Sequence, residues 1–167
     1  MARLAIRLGA VTLLGLLAAA SSACAAGGRS PSDPPGDRGE VAFTTLVQVA
    51  VPGQTGGQVR ETIRDAATWN QIWTQLRTGS SLPETPPAVD FQKDMVIVAA
   101  MPTQSCVSKV TIRAIRGNRG ELRVDLLEEP PAANCRCIVS QRPIHAVRLP
   151  RSDAAVRFAA TVTPHAC

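Results

Sequence analysis

The chain has 167 residues, of which 45% are apolar and only 3% aromatic, and its formal net charge is +5. This length and apolar content suit one domain of ordinary size with a hydrophobic core. Aromatic rings are scarce and tyrosine is absent. This argues against a surface that stacks nucleic-acid bases, despite the positive charge.

Residues 1–23 have the pattern of an export signal. Arg3 and Arg7 supply the positive start, and residues 8–20 form an apolar segment that is too short to span a bilayer. The small residues 21–23 complete the signal. We therefore expect export into an oxidising compartment, the bacterial cell envelope or beyond it.

Cys24 follows this signal directly and resembles the lipidated cysteine of a lipobox, although Ser21 stands where leucine is usual. Acylation of Cys24 would anchor the protein to a membrane without spanning it. The alternative is ordinary cleavage after Ala25, which would release a soluble periplasmic or secreted protein. Residues 24–40 contain hardly any apolar side chain, so we expect a flexible tether there.

The folded domain is predicted over residues 41–167 and begins with strands at residues 41–51 and 59–63. A helix follows, for which Asp65 has the residue type of an N-cap. Its apolar stripe has helical spacing and consists of Trp69, Ile72, Trp73 and Leu76. The two tryptophans could form a ligand-binding box, but we interpret them as the side chains that pack the helix on the sheet.

The run from Met95 to Met101 is unbroken apolar sequence between Asp94 and Pro102. A short apolar run between such residues indicates a strand that is buried on both faces. We expect it in the middle of a sheet, because an edge strand with two apolar faces would be exposed to water.

Alternating residues 109–115 and 122–126, separated by a glycine-containing turn, predict a β-hairpin. Two more strands are predicted over residues 146–149 and 156–162. The sum is a single α+β domain. We expect a mostly antiparallel sheet of about six or seven strands with one amphipathic helix packed on it.

The predicted domain contains four cysteines: Cys106, Cys135, Cys137 and Cys167. An even number in an exported domain predicts two disulfides. Cys135 and Cys137 lie on the same side of an extended chain, and a bond between them would close a strained small ring. Each is therefore expected to pair with a distant cysteine, either Cys106 or Cys167, and the sequence does not decide which.

The alternative is a metal site. Six residues could supply zinc ligands: Cys106, Cys135, Cys137, His145, His165 and Cys167. Their spacing matches no zinc-ribbon pattern, and an oxidising compartment favours disulfides, so we predict no metal and no other cofactor.

No catalytic motif is present, neither Gly-x-Ser-x-Gly nor His-Glu-x-x-His. Asp90 is best interpreted as a turn residue at the start of the buried strand. Glu128 and Glu129 are adjacent, so on a strand they point to opposite sides and cannot act as a pair. His145 alone is more typical of a satisfied or surface histidine than of a catalytic base. We therefore predict that the protein is not an enzyme.

The order of features from residue 57 to residue 162 resembles the C-terminal domain of the PrcB-type protease-complex subunit family. The resemblance rests on Ile63-Arg64-Asp65, Trp69-x-x-x-Trp73, Val89-Asp90-Phe91, Lys93-Asp94-Met95-Val96-Ile97, the hairpin from Ile112 to Val124, and Pro143-x-x-x-Val147-x-Leu149-Pro150. Where the family commonly has a Gly-Gly-Tyr turn, this chain has Gln104-Ser105-Cys106.

The resemblance implies an accessory subunit of an extracytoplasmic protease, with no catalytic residue of its own. We accordingly expect a non-enzymatic extracytoplasmic binding module whose partner is a protease-like protein, attached to a membrane through Cys24 if that residue is acylated. The alternative function is a metal-binding envelope protein that uses the cysteines and histidines.

Overall fold

The computed structural model describes residues 39–117 and 120–167. The predicted signal peptide, the lipidation site Cys24 and residues 24–38 of the predicted tether lie outside them. The described elements are, in chain order, β1 Thr44–Pro52, β2 Val59–Ile63, α1 Ala66–Arg77, β3 Asp94–Ala100, β4 Gln104–Ser105, β5 Lys109–Gly117, β6 Glu121–Glu129, β7 Ser140–Pro150 and β8 Ala155–Val162.

The strands form two sheets. The larger has the order β1-β7-β3-β2, with the short β4 also paired to β7, and the smaller has the order β5-β6-β8. All pairs are antiparallel except β6 with β8. The predicted α+β class and mostly antiparallel pairing are confirmed. The prediction of one sheet with six or seven strands was wrong: the described residues hold eight strands in two sheets.

Strand β3 separates two hydrophobic clusters. One contains Met95, Ile97, Ala99 and Met101 together with side chains of β5 and β6. The other contains Val96, Val98 and Ala100 together with the buried stripe of α1. No side chain from Met95 to Ala100 is measurably exposed, because period-2 alternation sends each one into one cluster or the other. The predicted burial on both faces is confirmed.

Helix α1 is fixed at its start and along its buried face. The Asp65 carboxylate accepts a hydrogen bond from the Thr68 N–H at 2.8 Å, which confirms the predicted N-cap. The buried indoles of Trp69 and Trp73 donate to the carbonyls of Pro87 and Pro83, each at 3.0 Å. Their core role is thereby confirmed, because they hold the proline-rich loop as well as the sheet.

Strand β7 is longer than the sequence predicted, running over Ser140–Pro150 where residues 146–149 were expected. Pro143 lies inside it, opposite Ala50 of β1. A proline inside a central strand is unusual because it has no N–H to donate. Its carbonyl still accepts from the Met101 N–H at 3.0 Å, so the strand continues past the ring.

The outer edge of β5 is covered. The Gly117 N–H donates to the Gly39 carbonyl at 3.1 Å, and the Val41 N–H donates to Ile115 O at 2.8 Å. Further along β5, Gln48 Nε2 of β1 donates to Val110 O at 3.2 Å. The Gln48 contact joins the two sheets, and the three contacts together cover part of the outer edge of β5.

His145 completes this connection between the sheets. Its Nδ1 accepts the Ile112 N–H of β5 at 2.8 Å, so the proton of the neutral ring is on Nε2, which donates to Thr45 Oγ1 at 3.1 Å. The residue is only 2% exposed. Burial, reinforced by the positive charge of Lys109, lowers the pKa of His145 to about 4.

This histidine should make stability depend on pH. The unfolded chain binds a proton at His145 below about pH 6.5, whereas the folded protein resists protonation until about pH 4. The free energy of unfolding should therefore fall as the pH is lowered through that interval, by about 3 kcal/mol from this residue. Urea denaturation at several pH values measures it. His145→Asn, which keeps an acceptor near Nδ1 and does not titrate, should have a smaller pH slope. Equal slopes for the two proteins would contradict this assignment.

Candidate functional site

Two disulfides join the cysteines of the domain. Cys106 is bonded to Cys137, and Cys135 is bonded to Cys167, with Cα–Cα distances of 5.0 and 5.6 Å. The structure thus agrees with the expectation that Cys135 and Cys137 each reach a distant partner. It also resolves the pairing that the sequence left open. The single intervening residue brings the two bonds together at one end of the fold.

The first disulfide holds a tight turn after β4. Cys106 has a φ of +74°, in the left-handed region that glycine favours. Its N–H donates to Val139 O at 3.0 Å, and its carbonyl accepts from Gln141 Nε2 at 2.8 Å. The backbone at Cys106 therefore has a glycine-like conformation, which the disulfide and these two hydrogen bonds hold in place.

The second disulfide fixes the C-terminal segment. The His165 N–H donates to Pro130 O, and its carbonyl accepts from the Ala132 N–H, each at 3.0 Å. The ring contacts carbonyl oxygens through both nitrogens, with Nδ1 2.8 Å from Ala166 O and Nε2 2.6 Å from Val107 O. These carbonyls raise the pKa of His165, because they stabilise the doubly protonated ring.

The six residues considered as alternative zinc ligands do not form a metal site, although all but His145 line one cavity. All four sulfurs are bonded in pairs, so none is a free thiolate. His145 lies between the sheets with both ring nitrogens in hydrogen bonds, and His165 contacts the turn at Val107. Within the part of the chain that the structure describes, no three histidine, cysteine or carboxylate side chains are grouped as metal ligands.

The pair of Thr45 and His145 is a hydroxyl beside an imidazole, the arrangement of a nucleophile and its base. The tautomer of His145 in this contact cannot act as that base. Nδ1 accepts from a backbone N–H, so Nε2 already carries a proton and cannot remove one from the threonine hydroxyl. The lowered pKa of the ring also makes it a weak base. The contact is structural.

The carboxylates considered as candidates have structural partners. Asp90 accepts from the Gln92 N–H at 3.1 Å and pairs with Lys93, as expected for a turn residue, and these contacts lower its pKa. Glu128 is almost fully buried and is bound by Arg60. The neighbouring Glu129 is more exposed, consistent with opposite orientations of the two side chains.

Three large apolar side chains are exposed around the first disulfide. Val107 is 73% exposed, Val139 is 55% exposed, and Ile138 is fully exposed. Together they line a cavity of about 470 Å³ floored by the Cys106–Cys137 bond. We call these three residues the apolar patch. Val107 also lines two adjoining cavities of about 340 and 310 Å³, so it lies where the three concave surfaces meet.

The charged side chains that line the three cavities are positive, whereas Glu129 lies opposite Lys109 in the β5–β6 register and acts on His165. Arg136 lines the first cavity and Lys109 lines the third, and no aspartate or glutamate lines any of the three. The surface thus combines an apolar centre with a cationic rim, the arrangement of many protein-binding surfaces. The sequence did carry a signal for it. Val107 and Ile138 each follow a disulfide cysteine, in loops where no apolar periodicity explains them.

The disulfide pairing can be tested by mass spectrometry. The intact oxidised protein should be four hydrogens lighter than the free-thiol chain, as two disulfides require. Trypsin cleaves after Arg136 and so separates Cys135 from Cys137. Non-reducing digests should then contain Cys106 linked to Cys137 and Cys135 linked to Cys167, and reduction should abolish both. Free thiols with stoichiometric zinc would instead support the metal site.

The disulfides indicate an oxidising, extracytoplasmic compartment. Helix α1, the one helix of the described residues, does not have the length and apolar character needed to cross a membrane. Comparisons of the chain with protein-family models, with curated proteins and with solved structures found no match.

Proposed function

We propose that the protein is a non-enzymatic extracytoplasmic binding module whose protein partner docks on the apolar patch. The observation that carries this proposal is the exposure of Val107, Ile138 and Val139 on one surface. Apolar side chains grouped in this way and held by covalent bonds are typical of interaction sites rather than of an inert surface.

The disulfides make this surface suitable for binding. Cys106 and Cys137 line the same cavity as the patch, and the second disulfide lines the adjoining one. A loop that is already fixed in one conformation loses less conformational entropy when a partner docks. The binding free energy of a few apolar contacts is then not spent on ordering the loop.

The cationic rim defines the chemistry of the partner. Arg136 and Lys109 favour a protein surface on which acidic residues surround an apolar centre. The resemblance to the PrcB-type subunit family supports an extracytoplasmic protease, or another subunit of its complex, as that partner. The structural use of both histidines supports a role without catalysis.

The proposal predicts a specific effect of Ile138→Asp. This side chain is fully exposed, so the substitution should leave folding unchanged while it removes apolar contact and repels an acidic partner. We expect at least about tenfold weaker recovery of the partner. Val162→Asp is the matched control, because Val162 is also exposed, at 57%, but lies on β8 outside the patch.

The measurement is affinity capture of each tagged variant from the native envelope, with quantitative mass spectrometry of bound proteins. Partners identified this way are then purified and their affinities measured by titration. An envelope protease, or a subunit of its complex, that is lost only with Ile138→Asp supports the proposal. Equal recovery by Ile138→Asp and Val162→Asp would show that the patch is not the binding surface.

We also propose that the protein is attached to a membrane through an acyl chain on Cys24. Labelled palmitate should be incorporated into the full chain, and Cys24→Ala should abolish the label and move the protein to the soluble fraction. Ser22→Ala, which keeps a small residue in the leader, serves as the control. An unlabelled, soluble wild-type protein would instead indicate ordinary cleavage, as after Ala25.

A further inference from the structure

Arg142 is a buried cation without a counter-ion. It lies near the start of β7, and only 5% of its surface is exposed. Its Nη2 donates to Gly57 O at 2.8 Å, but its buried Nε has no hydrogen-bond partner. Among the ion pairs of residues 39–117 and 120–167, none includes Arg142. Burial lowers the pKa of the guanidinium.

The contrast with Arg60 shows what compensation looks like in the same fold. Arg60 is also largely buried, and it binds the carboxylate of Glu128, which is equally shielded from water. Leaving a buried charge unpaired costs several kcal/mol, so buried arginines are normally matched by an acid. Arg142 lacks such a match from the protein, which points to an anion from outside.

A cavity is present at the position where such an anion would bind. Arg142 lines a space of about 470 Å³ together with the loop of residues 55–59 and the helix side chains Gln75 and Thr78. None of the lining residues is acidic, and the two glutamines, Gln58 and Gln75, supply amide donors. The volume exceeds that of a bare ion and lies in the range of small-molecule sites.

The glycine loop is shaped around the guanidinium. A Cβ built on Gly56 would lie 2.6 Å from both Cζ and Nη1 of Arg142, so a larger residue there would force the guanidinium to move. Thr103 fixes the loop, because its Oγ1 accepts the Gly56 N–H at 2.9 Å and its N–H donates to Gly56 O at 3.0 Å. The loop is therefore held in place, and its Gly57 carbonyl accepts a hydrogen bond from the guanidinium.

The end of helix α1 would otherwise repel an anion, because its last carbonyls carry partial negative charge. Gln54 removes part of this repulsion. Its side chain is buried, and its Nε2 donates to the carbonyls of Leu76 and Thr78. Two carbonyls at the end of the helix are thus already engaged, whereas Gln54 Oε1 is buried without a hydrogen-bond partner.

We propose that this cavity binds the oxyanion of a small molecule, a phosphate or carboxylate group, through the guanidinium of Arg142. The planar fork of an arginine suits both kinds of oxyanion, and the bond is charge-assisted. The site is on the helix side of the large sheet and shares no lining residue with the apolar patch.

The proposal is tested by calorimetric titration of the full protein with sodium phosphate and with sodium acetate. Sodium chloride holds the ionic strength constant. Saturable binding of one phosphate per chain, without acetate binding, assigns a phosphate-bearing ligand. The reverse result assigns a carboxylate-bearing ligand. Absence of saturable binding by either oxyanion would overturn the proposal.

Gln75→Glu provides the decisive variant, because it places a carboxylate in the cavity as an internal competitor without altering the buried arginine. We expect at least about tenfold weaker oxyanion binding. Gln71→Glu changes the same charge one turn earlier on α1, away from the cavity lining, and should bind like the wild type. Gln58→Glu tests the opposite wall if Gln75→Glu folds poorly. Equal binding by lining and control variants, or equal loss in both, would overturn the proposal.

Discussion

The fold depends on one constraint, which is that β3 has no face that can meet water. Every side chain from Met95 to Ala100 is buried, with alternate residues in the two clusters. Each face of the large sheet therefore needs a covering layer. Helix α1 supplies one and the β5-β6-β8 sheet supplies the other, so the chain becomes three layers with the large sheet in the middle. The contacts at His145 and Gln48 then set where the small sheet lies, because they bond to the backbone of β5.

Local periodicity predicted the elements that depend on local pattern. The buried run, the helix stripe with its Asp65 cap, and the β5–β6 hairpin were all predicted by residue spacing. Residue spacing did not predict which distant strands pair, because the apolar alternation of β8 is the same whether it joins β6 or another strand. The two-residue β4 is too short to have a period, and the interior proline of β7 made the strand seem to start later. Ring strain argued against a bond between Cys135 and Cys137. Only the fold showed which of these two pairs with Cys106 and which with Cys167.

The two proposed sites are lined by two consecutive residues of β7, one for each site. Gln141 lies against the Cys106 turn and lines the cavity of the apolar patch, whereas Arg142 lines the oxyanion cavity beside α1. Consecutive strand residues face opposite sides, so one short segment lines both proposed sites. The sequence could not reveal the second, because an arginine in a strand is ordinarily a solvated charge. It is buried here only because the glycine loop from β1 to β2 folds over it.

The two disulfides also overlap along the chain. One closes the segment from Cys106 to Cys137 and the other the segment from Cys135 to Cys167. Because the segments share residues 135–137, every peptide bond from Cys106 to Cys167 is bridged by at least one disulfide. A single cut anywhere in this stretch leaves both pieces covalently joined, and the C-terminal end cannot be drawn out as a free strand. A chain built in this way can survive a single cut in this stretch with its two sheets still connected.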